Sequence, residues 1–315
     1  MTGSATCCSV FFYSLLWFLV VIAVPSTTYA ESKFTVEAGT SQIDVSVTTD
    51  SLKLSDAQLK QWIQDAANAV IAYYGHFPVK HVLLQIRSFQ GNGVRGGQTF
   101  AAHGGFIRIA VGNQTTADDL HSDWMLTHEM VHLTFPSMPD QNHWIEEGIA
   151  TYVEPIARIQ AGQFSAQRMW FELVRDLPNG QPQSGDHGLD HTHTWGRTYW
   201  GGTLFCFLAD IEIRKQTQNK KGLQDALRGI LDSGGDMLQD WDLPRALTAG
   251  DQSVGVSVLL KLYEKMRDAP MKVDLDALWK QLGVSVENGS AQFHDDAPLA
   301  AIRKAITAPH QQSQK

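Results

Sequence analysis

The spacing of apolar residues changes several times along the 315-residue chain, and each change predicts an element. Val10 to Val24 is an almost unbroken apolar run that Pro25 ends. Ile43 to Val47 alternates apolar with polar residues and predicts a strand. Leu59, Trp62, Ile63, Ala66, Val70 and Tyr73 then fall at helical spacing between a capping Ser55 and a terminating Gly75. His81–Arg87 and Phe106–Val111 return to strand patterning, and the glycine-rich stretch Gly91–Gly97 between them reads as a flexible turn. From Thr115 the period is helical. One helix opens at Thr115–Asp119 and ends at Pro136 and Pro139. A second begins near Asp140–Asn142 and runs through Val153, where Pro155 kinks or restarts it. Ser165–Leu177 predicts another helix. Pro178–Thr194 is polar and reads as a long functional or mobile loop. Helices follow at about 198–217, 222–232, 255–268, 274–282 and 297–306, with a strand pair near 284–293. The pattern predicts an α+β chain. A small α/β lobe spans 31–136, a mainly helical lobe spans 137–315, and a cleft lies between them.

The first apolar run is shorter than the roughly 20 residues a membrane span requires. Small residues at Thr28 and Ala30 give it the form of a secretory signal peptide covering residues 1–30, cut after Ala30. This predicts export to the periplasm or the extracellular space, with no stable membrane span after cleavage. Residues 1–30 contain no Lys or Arg, so an uncleaved anchor is the competing reading. The formal charge is -8 and no basic stripe exists, which disfavours nucleic acid as a partner. Cys7 and Cys8 belong to the leader. Cys206, alone in the apolar run Leu204–Leu208, reads as a core residue. Nothing in the sequence sets an oligomeric state.

The strongest chemistry lies in Thr127–His132, which contains His-Glu-x-x-His. Residues four apart on a helix share a face, so His128 and His132 can address one metal ion. Glu129 lies one step round the helix, where an acid can act as general base on a metal-activated water. Two imidazoles and a water leave tetrahedral zinc one protein ligand short. Glu146 and Glu147 on the following helix are the candidates. Neighbours on a helix point about 100° apart, so only one of them faces the ion.

Trp144-Ile-Glu-Glu-Gly-Ile-Ala-Thr-Tyr152 resembles the W-x-x-E-G-x-A-x-Y stretch of gluzincin metallopeptidases, which include the aminopeptidase N and glycyl aminopeptidase relatives. The resemblance implies a thermolysin-like gluzincin fold, with a small mixed-sheet lobe, a mainly helical lobe and the metal site between them. It also implies one Zn2+ per chain held by His128, His132 and Glu147, and a peptide or protein substrate. Tyr199-Trp-Gly-Gly-Thr-Leu204 is similar to the family's Tyr-x-Lys-Gly helix, which makes Tyr199 the donor to the oxyanion and Glu129 the base of a water-promoted amide hydrolysis. The likeness covers roughly residues 100–215. It departs from the family in three ways. Gly201 stands where the family has Lys, the gap from His132 to Glu147 is shorter than in aminopeptidase N, and the large β domain that precedes the catalytic part is missing.

Aminopeptidase N relatives bind the substrate amine with a Glu in a Gly-x-Met-Glu-Asn segment. The corresponding region, about His103–Arg108, has no acid, and neither does any position from Gly91 to Ala117. Arg95, His103 and Arg108 stand there instead. With the 106–111 strand free to pair with an extended peptide, this predicts internal cleavage rather than N-terminal trimming. Glu146 or Asp190 can substitute for the missing acid, so an aminopeptidase is a competing reading. A zinc-bearing protein that binds peptides without cutting them is another, against which the intact Glu129 and Tyr199 argue. A hydrolase of other bonds is a third. His187, His191 and His193, with Asp186 and Asp190, mark the long loop as an accessory metal site, a substrate rim or neither.

Overall fold

A computed structural model describes residues 30–49, 52–102 and 104–309. The apolar run at 10–24, Cys7, Cys8 and His103 lie outside the described residues. The chain opens with strands β1 (Ala30–Ala38) and β2 (Ser41–Thr49) and helix α1 (Asp56–Tyr74). Strands β3 (His81–Phe89), β4 (Val94–Phe100) and β5 (Phe106–Gly112) follow. The five strands form one mixed sheet in the order β1-β2-β3-β5-β4. β2, β3 and β5 run parallel, while β1 and β4 are antiparallel to their neighbours at the two edges. Along β3 and β5 burial alternates. Val82, Leu84 and Ile86, then Ile107, Ile109 and Val111, turn into the core. The helices cover that buried face. α1 begins where Ser55 and Gln58 cap each other reciprocally and ends at Gly75, whose φ of 90° closes the last turn. Its stripe Leu59, Trp62, Ile63, Ala66, Val70 and Tyr73 is buried as the helical period predicts.

Beyond the sheet come α2 (Ala117–His121), α3 (Met125–His132), α4 (His143–Gln160) and α5 (Ala166–Asp176). A six-residue π-helical segment, Gly196–Gly201, continues into α6 (Gly202–Gln216). Then follow α7 (Leu223–Asp232), α8 (Leu243–Val254), α9 (Leu259–Met266) and α10 (Leu275–Leu282). The hairpin β6 (Val284–Glu287) and β7 (Ser290–Phe293) precedes α11 (Ala300–Thr307). Cys206 is buried in α6. Among the described residues no helix is long and apolar enough to cross a membrane.

Four expectations are corrected. Val94–Phe100 is the edge strand β4 rather than a flexible turn, and its backbone pairs with β5. The strand at 106–112 is therefore interior, with both edges occupied, and cannot accept a substrate strand. The helix expected to run from Thr115 to Pro136 is broken. Asp123 takes the backbone N–H groups of Met125 and Leu126 at 3.0 and 3.1 Å, which stops α2 and starts α3 afresh. Pro155 does not restart the helix, since α4 runs unbroken from His143 to Gln160. β1 and α8, in turn, were not anticipated.

Candidate active site

The site is assembled from four elements. α3 is short and anchored on its inner side by Leu126, Met130 and Val131, all fully buried. That packing turns His128, Glu129 and His132 together, and their donor atoms lie within 4.8 Å of one another. α4 brings Glu147 across from the next helix. Glu147 Oε2 lies 3.1 Å from His128 Nε2 and 3.6 Å from His132 Nε2. Glu146 turns away, accepting from the Met138 backbone at 3.3 Å and meeting His143 at 3.3 Å. Of the two acids, only one faces the histidines, as helical geometry requires, and it is Glu147. Its other oxygen, Oε1, lies 3.2 Å from His143 Nε2.

Zinc–nitrogen and zinc–oxygen bonds of about 2.0–2.1 Å put tetrahedral ligand atoms about 3.3 Å apart. Two imidazole nitrogens and a carboxylate oxygen at 3.1 and 3.6 Å fit that edge, and the donor set is a zinc set. Burial, helped by His128, holds His132 down at about 3, so it is the neutral imidazole that a metal needs. Burial alone would raise Glu147, but His128, His143 and His132 outweigh it and keep the carboxylate ionised.

The sheet supplies what sequence reasoning missed. Thr99 on β4 donates its hydroxyl to Glu129 Oε2 at 2.6 Å, with the Glu129 carbonyl 2.9 Å away. Two residues earlier, Gly97 leaves no room. A Cβ there would stand 2.4 Å from Glu129 Oε1. Its backbone N–H points to Met125 Sδ at 3.2 Å. β4 is therefore pressed against the carboxylate of the candidate base. Burial raises the pKa of Glu129, and the Thr99 hydrogen bond opposes the rise. The period-two pair Gly97 and Thr99 was the only signal in the sequence, and the surrounding glycines concealed it.

Tyr199 comes from the π-helical segment. Its hydroxyl lies in the field of the Glu147 and Glu129 carboxylates. Burial and those two carboxylates push it up to about 12, so it stays protonated at neutral pH. The segment is placed by a close crossing of α4 and α6. A Cβ on Gly148 would lie 2.3 Å from the Gly202 backbone, and one on Gly202 would lie 2.1 Å from the Trp144 carbonyl. The glycine after Glu147 is thus required by packing. The motif aromatics secure the same joint. Trp144 Nε1 donates to Asp190 at 2.8 Å, and the Tyr152 hydroxyl donates to Asp210 at 2.8 Å.

The loop at 178–194 is pinned. Buried Asp190 also accepts from Asn142 and Tyr263, and buried Asp186 pairs with Arg197 at 2.7 Å. A Cβ at Gly201 would meet Leu189 at 2.9 Å and Arg197 at 3.2 Å, so the guanidinium fills the space beside the position where the family has Lys. His191 pairs with Asp268 at 2.8 Å, and the loop histidines form no metal-capable group among the described residues.

No family model matches the sequence, and no curated protein matches it. Solved structures do. An aminopeptidase N family protein from Idiomarina loihiensis aligns over 82% of this chain and 50% of its own, with a TM-score of 0.62 at 12% identity. A two-domain M1 zinc metallopeptidase mutant bound to L-arginine aligns over 78% of this chain and 54% of its own, with a TM-score of 0.51 at 13% identity. The M1 zinc metallopeptidase from Deinococcus radiodurans gives 78% and 52%, 0.50 and 13%. The chain spans about half the length of these structures. At such identities the likeness is one of fold, and the chain has the α+β gluzincin fold of the M1 zinc metallopeptidases.

Proposed function

We propose that the chain is an exported zinc metallopeptidase that hydrolyses internal peptide bonds. The observation that carries this reading is the convergence of His128 and His132 on one Glu147 oxygen, at 3.1 and 3.6 Å, beside Glu129 and with Tyr199 in the field of both carboxylates. His128, His132 and Glu147 would hold the zinc, which would supply the Lewis acidity to activate water and polarise a carbonyl. Glu129 accepts the proton of the attacking water and hands it to the departing amine. Thr99 holds the Glu129 carboxylate for that transfer. Tyr199 keeps its proton and donates a hydrogen bond to the oxygen that becomes negative as the carbonyl is attacked.

β4 is the sheet edge next to the site, so its backbone groups are the ones an extended peptide can pair with. Neither β4 nor its connections on either side carry an acid to neutralise a substrate ammonium, which favours internal bonds. The aminopeptidase reading has the aminopeptidase N family neighbour in its favour. Profiling a complex peptide mixture with and without a chelator tests the activity, and acetylated against free N-termini separates the two modes. Internal cleavage cuts both forms at the same bonds. Cleavage confined to the first residue of free peptides selects the aminopeptidase. Glu129→Gln keeps zinc and loses hydrolysis, whereas His128→Ala loses both. Full activity of Glu129→Gln would remove the base from the scheme.

A further inference from the structure

Two site residues have a tryptophan four positions earlier, at the start of the helical segment that carries them. Trp124 precedes His128, and Trp195 precedes Tyr199. Trp124 packs edge-on against His128 with ring centroids 5.4 Å apart, and Trp195 lies 6.0 Å from Tyr199. Both indoles are nonetheless open to solvent, Trp124 by 50% and Trp195 by 63%. Large aromatic surface left exposed beside a reacting centre is costly, and a ligand that covers it recovers that cost.

Both tryptophans line a cleft of about 580 Å³ that also takes in Tyr199, Trp200, Met169 and Leu173. The volume lies in the range of small-ligand sites. Its charges cancel in place. Arg158 pairs with Glu154 at 2.9 Å, Arg168 with Glu172 at 3.0 Å, and Arg175 with Asp176 at 2.5 Å. Every ionic group of the cleft thus has its partner beside it, and no net charge is left to attract a charged side chain. Aromatic and aliphatic side chains share the walls with these ion pairs, and the cleft meets the candidate site at Tyr199, which lines it, and at Trp124, which packs on His128.

We infer that this cleft is the specificity pocket, and that it takes a large uncharged side chain, aromatic above all, from a substrate residue adjoining the bond that is cut. The inference builds on the peptidase reading. Burying a phenyl ring between indoles, where a methyl group would leave them exposed, gives about a hundredfold selection in kcat/KM. Charged side chains gain nothing, because entry would strip their water with no counter-charge free.

The test uses acetyl-Ala-Ala-Xaa-Ala-Ala-amide and its free-amine counterpart, with Phe, Leu, Ala, Lys or Glu at Xaa. Mass spectrometry locates the cut. The expected order is Phe, then Leu, then Ala, with Lys and Glu no better than Ala and the cut beside Xaa. Trp195→Ala, at an exposed position that does not support the core, reduces the Phe-over-Ala ratio at least tenfold, and Trp195→Phe restores most of it. Cleavage indifferent to Xaa, or a Lys or Glu preference, overturns the pocket and leaves the peptidase reading standing. If no peptide is cut, the peptidase reading fails. The pocket is then read by calorimetric binding of the Phe and Ala peptides, where equal affinity overturns it and at least tenfold preference for Phe sustains it.

Discussion

Gly97→Ala isolates the contact between the sheet edge and the candidate base. The added methyl carbon would stand 2.4 Å from Glu129 Oε1, 2.7 Å from Cγ and 2.8 Å from Cδ, where ordinary contact begins at 3.4 Å. One partner must therefore retreat by about 1 Å. β4 is held by its ladder with β5, whereas the carboxylate is the end of a side chain, so the carboxylate moves. A displacement of about 1 Å in a reacting group costs on the order of a hundredfold in rate. Expressed as a barrier, that is about 2.7 kcal/mol. The fold loses little, because the clash is relieved by rotation of one side chain. The assay compares kcat of the variant and the parent on the same peptide, with zinc content by metal analysis and melting temperature as controls. The expected result is a hundredfold lower kcat, equal zinc and a melting temperature within a few degrees. A kcat within threefold of the parent refutes the argument that Gly97 sets the position of Glu129. Loss of zinc would show that the methyl group is accommodated by α3 instead.

Other expectations follow from the same geometry. Tyr199→Phe removes a donor used mainly in the transition state, so kcat falls about 10²–10³-fold while zinc content is unchanged. A near-normal kcat assigns Tyr199 to packing. Gly148→Ala drives a Cβ to 2.3 Å from the Gly202 backbone, which cannot rotate away. A loss of about 3 kcal/mol is expected by denaturant titration, and an unchanged midpoint would contradict the close crossing of α4 and α6. Arg197→Met strands buried Asp186 and costs about 3–5 kcal/mol, part of which the Asp186→Asn, Arg197→Met double variant recovers. Zinc at a thousandfold excess over its dissociation constant stabilises by about 4 kcal/mol. Chelation therefore lowers the melting temperature of the parent, and His128→Ala shows no dependence on zinc.

The elements that could be read from the sequence are those whose period and punctuation agree. α1 has its apolar stripe, its reciprocal Ser55–Gln58 cap and its Gly75 stop, and all three point to the same bounds. Helical spacing brought His128 and His132 together, and the family resemblance selected Glu147, which the geometry places beside both. β4 had no such agreement. None of its residues is buried, so no apolar alternation marks it, and its strand character comes from backbone pairing with β5 alone. Thr99 and Gly97 were hidden for that reason, and the strand expected to be free, β5, is an interior one. The break between α2 and α3 was hidden differently. Asp123 lies in a run that suits a helix, and its carboxylate competes for the very N–H groups the helix would use. β1 and α8 were legible and missed. Phe34, Val36 and Ala38 alternate, and Leu243, Ala246, Leu247 and Val254 follow an Asp242 cap.

The π-helical segment at Gly196–Gly201 has a consequence for how this site can be gained or lost. A π turn holds one residue more than an α turn, and here the Thr203 hydroxyl, in the first turn of α6, donates back to the Tyr199 carbonyl at 2.8 Å. α6 is fixed in rotation by its glycine crossing with α4 and by the bond from Tyr152 to Asp210. Removing a single residue from the segment would restore α pairing and turn everything upstream by about 100° about the helix axis. Tyr199 would swing off Glu147, taking Trp195 with it, while His128, His132 and Glu147 stayed in place. A hydrolase and a silent zinc-bearing relative of this fold would then share every metal ligand and differ by one unit of chain length, a change that comparison of site residues alone would overlook.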